Sequence, residues 1–269
     1  MNTNDKTTSK PDKVIPVHNL KMQIANGKHG YLEEKIPCKI EGLEVVHKVY
    51  IGEGQYNISL KDSHATFFLV LKGTGVFITD NEQQSLEEAS IVLAPIKTHQ
   101  PSIKLKNEES LHLLEFSKSL SKQDKTNLQS QENQLNQLYY TKYKDCAPYT
   151  EKIKSPSTVS RTILPGGIIP RVALGTVEAA GPDRVGAHSH PMLEQLFLGL
   201  TDNQIIVHAD GVIAEMNAFS LLHIPLGSTH SVEVAANCKM NYMWMDFFLT
   251  KDGEAWLDTH KHIKESVLD

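Results

Sequence analysis

VGAHSHPMLEQLFLGL (residues 185–200) and FSLLHIPLGSTHSVEV (residues 219–234) are the two stretches on which the reading of this chain turns. Each carries a short run rich in aliphatic and aromatic residues bounded by Gly, Pro or Ser, which is the signature of a strand entering or leaving a turn. Side chains alternate faces along a strand, so His188, His190 and Glu194 share one parity and face one cavity if the extended conformation continues through Pro191. The second stretch supplies Pro225, Gly227 and His230, a turn that delivers one more imidazole from a neighbouring strand. Three neutral imidazoles and one carboxylate form an open site for one divalent transition metal, with two octahedral positions left for substrate or water.

The same strand rhythm extends outward in both directions. Before it lie EVVHKVYIGEG (44–54), TFFLVLKGTGVFITDN (66–81) and SIVLAPIKTH (90–99); after it comes MNYMWMDFFL (240–249). Between the two β regions, residues 119–155 change to Lys, Gln, Asn, Ser and Tyr, and LQSQENQLNQLYYTKY (128–143) has a weak helix-like spacing of leucines. EQLFLGLTDNQIIV (194–207) can be laid over TFFLVLKGTGVFIT (66–79) at an offset of 128, and HIPLGSTH over LAPIKTH at 130 to 131, which suggests two copies of one β-barrel. The expected organisation is a flexible tail (1–13), an N-terminal barrel (14–118), a partly helical connector (119–155) and a C-terminal barrel (156–269). GEAWLDTHKHIKESVLD (253–269) puts Trp256, His260 and Ile263 on one face and predicts a closing helix.

The spellings His188-Ser-His190, three residues, Glu194, then Pro225-Leu-Gly227-Ser-Thr-His230, resemble the two motifs of the cupin superfamily. The resemblance implies an all-β chain of two cupin-type barrels, the double-stranded β-helix or jelly roll, and a metal on His188, His190, Glu194 and His230. The metal it implies is a divalent ion such as Mn, Fe, Co, Ni or Zn. Some positions depart from the family pattern: six residues rather than five separate Gly181 from His188, Gly199 comes late after Glu194, Phe219 stands where the second motif begins with Gly, and Val234 where it often ends in Asn. These shape turns rather than ligation. In the N-terminal copy Leu60, Asp62 and Thr66 fall where His188, His190 and Glu194 lie, and only His99 retains a ligand type. That copy is therefore expected to bind no metal in this manner and to serve as scaffold or dimerisation surface; His64 lies nearby at the wrong parity.

Along the last strand Tyr242, Trp244, Asp246 and Phe248 alternate with Asn241, Met243, Met245 and Phe247, and the sequence leaves open which set lines the barrel. If the Tyr242 set is inward, Asp246 becomes a candidate general acid or base and Tyr242 a donor to an oxyanion. Arg184, in the loop AGPDRVGA, is a candidate for holding a substrate carboxylate or phosphate at the barrel mouth, with an ordinary surface Arg as the alternative. His208 and His223 read as hydrogen-bonded or surface imidazoles, and Gln195 and Gln204 as ordinary strand residues. His260 and His262 diverge by about 200° on a helix and read as solvated.

Composition narrows the partners. With 27 basic and 32 acidic residues, net −5, and no dense Lys/Arg block, the chain lacks the electrostatic footprint of a nucleic-acid binder. No run approaches the roughly eighteen apolar residues of a membrane span. Three widely separated cysteines, Cys38, Cys146 and Cys238, suit buried thiols in a reducing, cytoplasmic setting. The expected activity is metal-dependent Lewis-acid chemistry of isomerase, lyase or hydrolase type on a small oxygen-rich molecule: a sugar, a keto acid or another carboxylate. An Fe(II) dioxygenase and a metal-stabilised binding cupin without turnover are the alternatives, and a homodimer through sheet edges is compatible with the fold.

Overall fold

Alternating apolar runs punctuated by Gly, Asp and Asn turns fold as antiparallel strands throughout this computed structural model, which describes residues 15–23, 30–96, 98, 100–106, 110–129 and 137–258. The first half contains nine consecutive strands: β2 (Gly30–Ile36), β3 (Leu43–Ile51), β4 (Gly54–Asn57), β5 (His64–Lys72), β6 (Gly75–Ile78), β7 (Gln83–Leu86), β8 (Ser90–Leu93), β9 (Ser102–Leu105) and β10 (Ser110–Ser119). The second half repeats them as β13 (Val159–Ile169), β14 (Val172–Ala180), β15 (Asp183–His188), β16 (Leu193–Gly199), β17 (Gln204–Ala209), β18 (Val212–Asn217), β19 (Ser220–Ile224), β20 (His230–Val234) and β21 (Lys239–Phe248). The repetition lies in topology as well as sequence. The large sheets run β8-β5-β10-β3-β2 and β19-β16-β21-β14-β13, and the small sheets run β4-β9-β6-β7 and β15-β20-β17-β18.

In each half the large and small sheets enclose an apolar interior. Phe68, Val70, Phe77, Leu86, Ile103, Leu105 and Leu113 fill the first. Val177, Phe197, Val207, Leu222, Val232 and Tyr242 line the second. The outer faces of the two large sheets then pack against each other through Phe67, Leu69, Leu114 and Phe116 from one side and Leu174, Leu196, Leu198, Met243 and Met245 from the other. Both faces of each large sheet are thus buried, which explains why β5 and β16 read as nearly continuous apolar runs instead of alternating.

Two short strands cross between the halves. β1 (Val17–Asn19), placed by sequence in the N-terminal barrel, pairs with β19 of the second half. β11 (Tyr139–Lys142), in the connector, pairs with β8 of the first half. Each precedes its own half and completes the sheet of the other, covering an edge that would otherwise present unpaired backbone groups. The connector is partly helical, with α1 (Lys122–Gln129) and a 3-10 turn (Tyr143–Asp145), and it ends in β12 (Pro148–Tyr149), which pairs with β13.

Arg171, at the turn from β13 to β14, clamps α1 through a forked contact with Asp124, at 3.2 Å from Nε and 2.7 Å from Nη2. Its backbone N–H donates to Glu254 of the closing helix α2 (Lys251–Asp258). The side chain of Trp256 and the whole of His260 and Ile263 lie outside the described residues, as does His99. The three cysteines are free, and each is half-buried where full burial was expected. No described helix is long and apolar enough to cross a membrane.

Candidate metal centre

The loop that carries the first motif is not a single extended strand. β15 stops at His188, Pro191 and Met192 form a turn, and β16 begins at Leu193 in the other sheet. Alternation therefore does not govern which groups meet, and two local devices do so instead. A β-bulge lies between the pairs Val185↔Val232 and His188↔His230, so three steps on β15 match two on β20. The extra residue returns His188 to the inward face that Val185 already occupies. The second device is the turn Pro225–Ser228, closed by the Ser228 N–H donating to the Pro225 carbonyl at 3.1 Å, with Gly227 at φ 71°. A positive φ at the third position is the type II requirement that selects Gly. The Gly227 N–H donates to the His190 carbonyl at 3.2 Å, tying the two motif loops together.

These devices bring His188, His190 and His230 together, each offering one ring nitrogen, with the three nitrogens within 4.8 Å of one another. The ring centroids are 4.9 Å apart for His188–His190, 4.4 Å for His188–His230 and 5.4 Å for His190–His230. Nδ1 of His188 lies 2.8 Å from the Gly186 carbonyl and Nδ1 of His230 lies 3.1 Å from the Ser228 carbonyl. A carbonyl only accepts, so both Nδ1 atoms carry protons and both Nε2 atoms keep a lone pair. His230 Nε2 is buried with no hydrogen-bond partner. Burial, followed by the neighbouring His188, pushes the His230 imidazolium down to about pKa 4, so it is a neutral donor at physiological pH. Two oriented lone pairs, one of them an orphaned buried nitrogen, fit a transition ion on imidazole ligands.

Glu194 does not join this cluster. On β16, Phe197 faces the interior and Leu196 the interface between the large sheets. Glu194 shares the Leu196 parity, and its Oε2 is 2.7 Å from His223 Nε2 on that outer face. The inward neighbour is Gln195, 5% exposed, whose amide donates to Asp246 Oδ1 at 2.6 Å. The expectation of a three-His, one-Glu set is thus replaced by three imidazoles, because the Pro191–Met192 turn shifts the strand by one position. The first half confirms the shift. Thr66 Oγ1 and Ser117 Oγ, 3.1 Å apart, occupy the places of Gln195 and Asp246, an offset of 195 − 66 = 129 rather than 128. Leu60 packs on the apolar interior of that half, and the Asp62 carbonyl holds His64 Nδ1 at 2.8 Å.

β21 answers the question of faces. Tyr242 belongs to the interior of the second half, and Met243 and Met245 to the inter-sheet core. Asp246 is 2% exposed and pairs across the sheet with Gln195 and Ala173. Burial raises its carboxyl to about pKa 7; the Gln195 hydrogen bond and Lys154 oppose the shift and Glu151 adds to it. Tyr242 is raised as well, chiefly by burial, and so stays a protonated donor. Phe197 connects the two regions, with its ring centroid 5.8 Å from His230 and 4.9 Å from Tyr242.

Arg184, the candidate anion-holding residue at the barrel mouth, takes the surface alternative. It is exposed, alternates with the inward Val185, and lies opposite Glu233 on the outer face of the small sheet. His208 bonds Glu233 on that same face at 3.0 Å.

Sequence reasoning passed over Gln195, taken as an ordinary strand residue, and Lys154, which lies in a segment of connector composition without motif. Phe219, where the family pattern has Gly, adopts φ 58°, the left-handed conformation that Gly serves without strain.

Gly227→Ala places a Cβ in open space but in a left-handed conformation, since no atom lies within 4 Å of the added carbon. A loss of about 1–2 kcal/mol is expected in chemical unfolding, with Gly227→Asn losing less.

No family model matches the chain, and no curated protein matches its sequence. Solved structures do match in fold. A cupin 2 conserved barrel domain protein from Leptotrichia buccalis shares 13% identity at TM-score 0.60, over 88% of this chain and 97% of that one. Oxalate decarboxylase from Bacillus subtilis shares 11% at TM-score 0.62, over 87% and 79%. Protein Ylba from E. coli shares 9% at TM-score 0.63, over 87% and 90%. At these identities the likeness is one of architecture, and with the doubled sheet order it establishes that the chain has the cupin fold.

Proposed function

We propose that this protein is a metal-dependent enzyme acting on a small oxygen-rich substrate at the interior of its second half. One contrast carries the reading. Two interiors of the same topology bury different polar groups: the first holds the mutually compensating pair Lys48–Glu115 among its Phe, Leu, Ile and Val, whereas the second brings His188, His190 and His230 to one point and also holds Gln195 and Asp246. The His230 Nε2 in that cluster is buried without a hydrogen-bond partner, a cost that the first interior's ion pair does not carry.

When bound, the metal would supply Lewis-acid polarisation of a substrate oxygen. The chain's own residues do the rest. His188, His190 and His230 would hold the ion through nitrogens whose tautomers are set by the Gly186 and Ser228 carbonyls where those bonds are made. Asp246, raised to about pKa 7, is poised to take or return a proton at Oδ2, while Gln195 holds Oδ1. Tyr242 presents a neutral hydroxyl to a developing oxyanion, and Phe197 with its apolar neighbours excludes water. An oxalate decarboxylase among the fold neighbours makes isomerase or lyase chemistry on a keto acid or carboxylate the favoured class.

The test is elemental analysis of the purified protein beside His188→Ala/His190→Ala, followed by Asp246→Asn. About one equivalent of Mn, Fe, Ni or Zn, absent from the double variant, is expected. Asp246→Asn should retain the metal and lose about 100-fold or more in turnover of a responding carboxylate or keto-acid substrate. No metal after reconstitution would remove this reading in favour of a binding protein, and a strict requirement for O2 would move it to the dioxygenases.

A further inference from the structure

Resting on the metal reading, we infer that the substrate is anionic and that its negative group is held by the ammonium of Lys154, delivered into the interior by the end of the connector. A strap of residues 151–158 runs along the free edge of β15. The Gly186 N–H donates to the Ile153 carbonyl at 2.7 Å, and Lys154 bridges to Val185. Beyond it Ser155, Ser157 and Thr158 all donate to Asp183 Oδ2, at 2.7, 3.1 and 3.0 Å. The strap is therefore anchored without help from the Lys154 side chain, and it forms a fixed wall.

That side chain is nonetheless buried, at 5% exposure, on the face of its bridge partner Val185, which lines the interior. Nζ lies 2.8 Å from Glu151 Oε2 and donates to Ser160 Oγ at 2.8 Å. Ser160 shares a cross-strand row with Val177 and Tyr242, so the ammonium sits beside the row that carries Tyr242, four positions before Asp246 on the same strand. Val185, beside which Lys154 pairs, is three positions before His188, roughly 10 Å along the strand. An ammonium has three donors, and two are directed at Glu151 and Ser160. Burying one away from water is costly, and the strap is already held by the Gly186 and Asp183 bonds without it.

Charge balance points the same way. Glu151 neutralises Lys154, and Glu194 faces the outer side of its sheet, so with three neutral imidazoles even an ionised Asp246 leaves at least one charge of a divalent ion uncompensated. A small carboxylate supplies the missing negative charge at the metal end and an acceptor for the third Lys154 proton at the other.

The probe is oxalate, the smallest dicarboxylate, with oxamide as its uncharged isostere, titrated calorimetrically into metal-loaded protein. Wild type is expected to prefer oxalate to oxamide by at least tenfold. Lys154→Met should lower oxalate affinity at least tenfold with metal content unchanged, and Lys154→Arg should restore part of it. Equal oxalate affinity in wild type and Lys154→Met, or no oxalate binding by wild type with its full metal complement, overturns the inference. A protein that takes up no metal yet binds oxalate through Lys154 would instead remove the metal reading and leave this subsite standing.

Discussion

Replacing His230 by Ala is expected to abolish stoichiometric metal binding, lowering affinity by more than 100-fold, whereas Glu194→Gln leaves it within about threefold of wild type. The two substitutions separate the ligand set implied by family resemblance from the one the fold constructs. His230 contributes a buried Nε2 with no other partner, and removing it takes one of the three donors gathered among the described residues. The Glu194 carboxylate lies on the opposite face of β16, engaged with His223, so neutralising it touches nothing that an ion on the three imidazoles would feel directly. Competition with a chromophoric chelator measures both affinities. A Glu194→Gln protein that loses its metal as completely as His230→Ala would mean that the strand slips by one residue when the ion binds.

The second large effect is expected in the first half. Lys48 and Glu115 form an ion pair at 2.6 Å with side chains 11% and 9% exposed, facing the same interior as Tyr50 and Leu113. Burial pushes the Glu115 carboxyl up, and the attraction of Lys48 opposes it. Glu115→Ala leaves the Lys48 ammonium buried without its counter-charge and should cost about 3–5 kcal/mol in urea unfolding. The paired replacement Lys48→Met/Glu115→Leu removes both charges and keeps most of the volume, so it should be close to neutral or stabilising. A single variant no less stable than the double one would show that water already reaches the ammonium.

Much of this architecture is legible in the sequence because it depends on punctuation. Gly227 after Pro225 spells a turn, the apolar runs spell strands, and the similarity of residues 66–79 to 194–207 spells a duplication. The faces of individual residues were harder to read. Periodicity counts residues, whereas the bulge before His188 and the turn at Pro191–Met192 each add an uncounted step. The alternation argument reached His188 and His190 for an incomplete reason and assigned Glu194 to the wrong side. It left Asp246 undecided for lack of a fixed starting parity. Lys154 was beyond sequence reasoning, since only tertiary pairing with Val185 turns a connector lysine inward.

The exchange of β1 and β11 between the halves also bears on how the chain comes to be made. The first described strand to leave the ribosome must wait for β19, more than two hundred residues later in translation, before it has a partner. Until then the second half cannot close its edge, while the first half is completed by β11 soon after its own strands are out. Assembly is thus biased to run from first half to second, with the opening segment acting as a final latch. A duplicated gene whose products once folded independently would, by this exchange, have become a single inseparable unit.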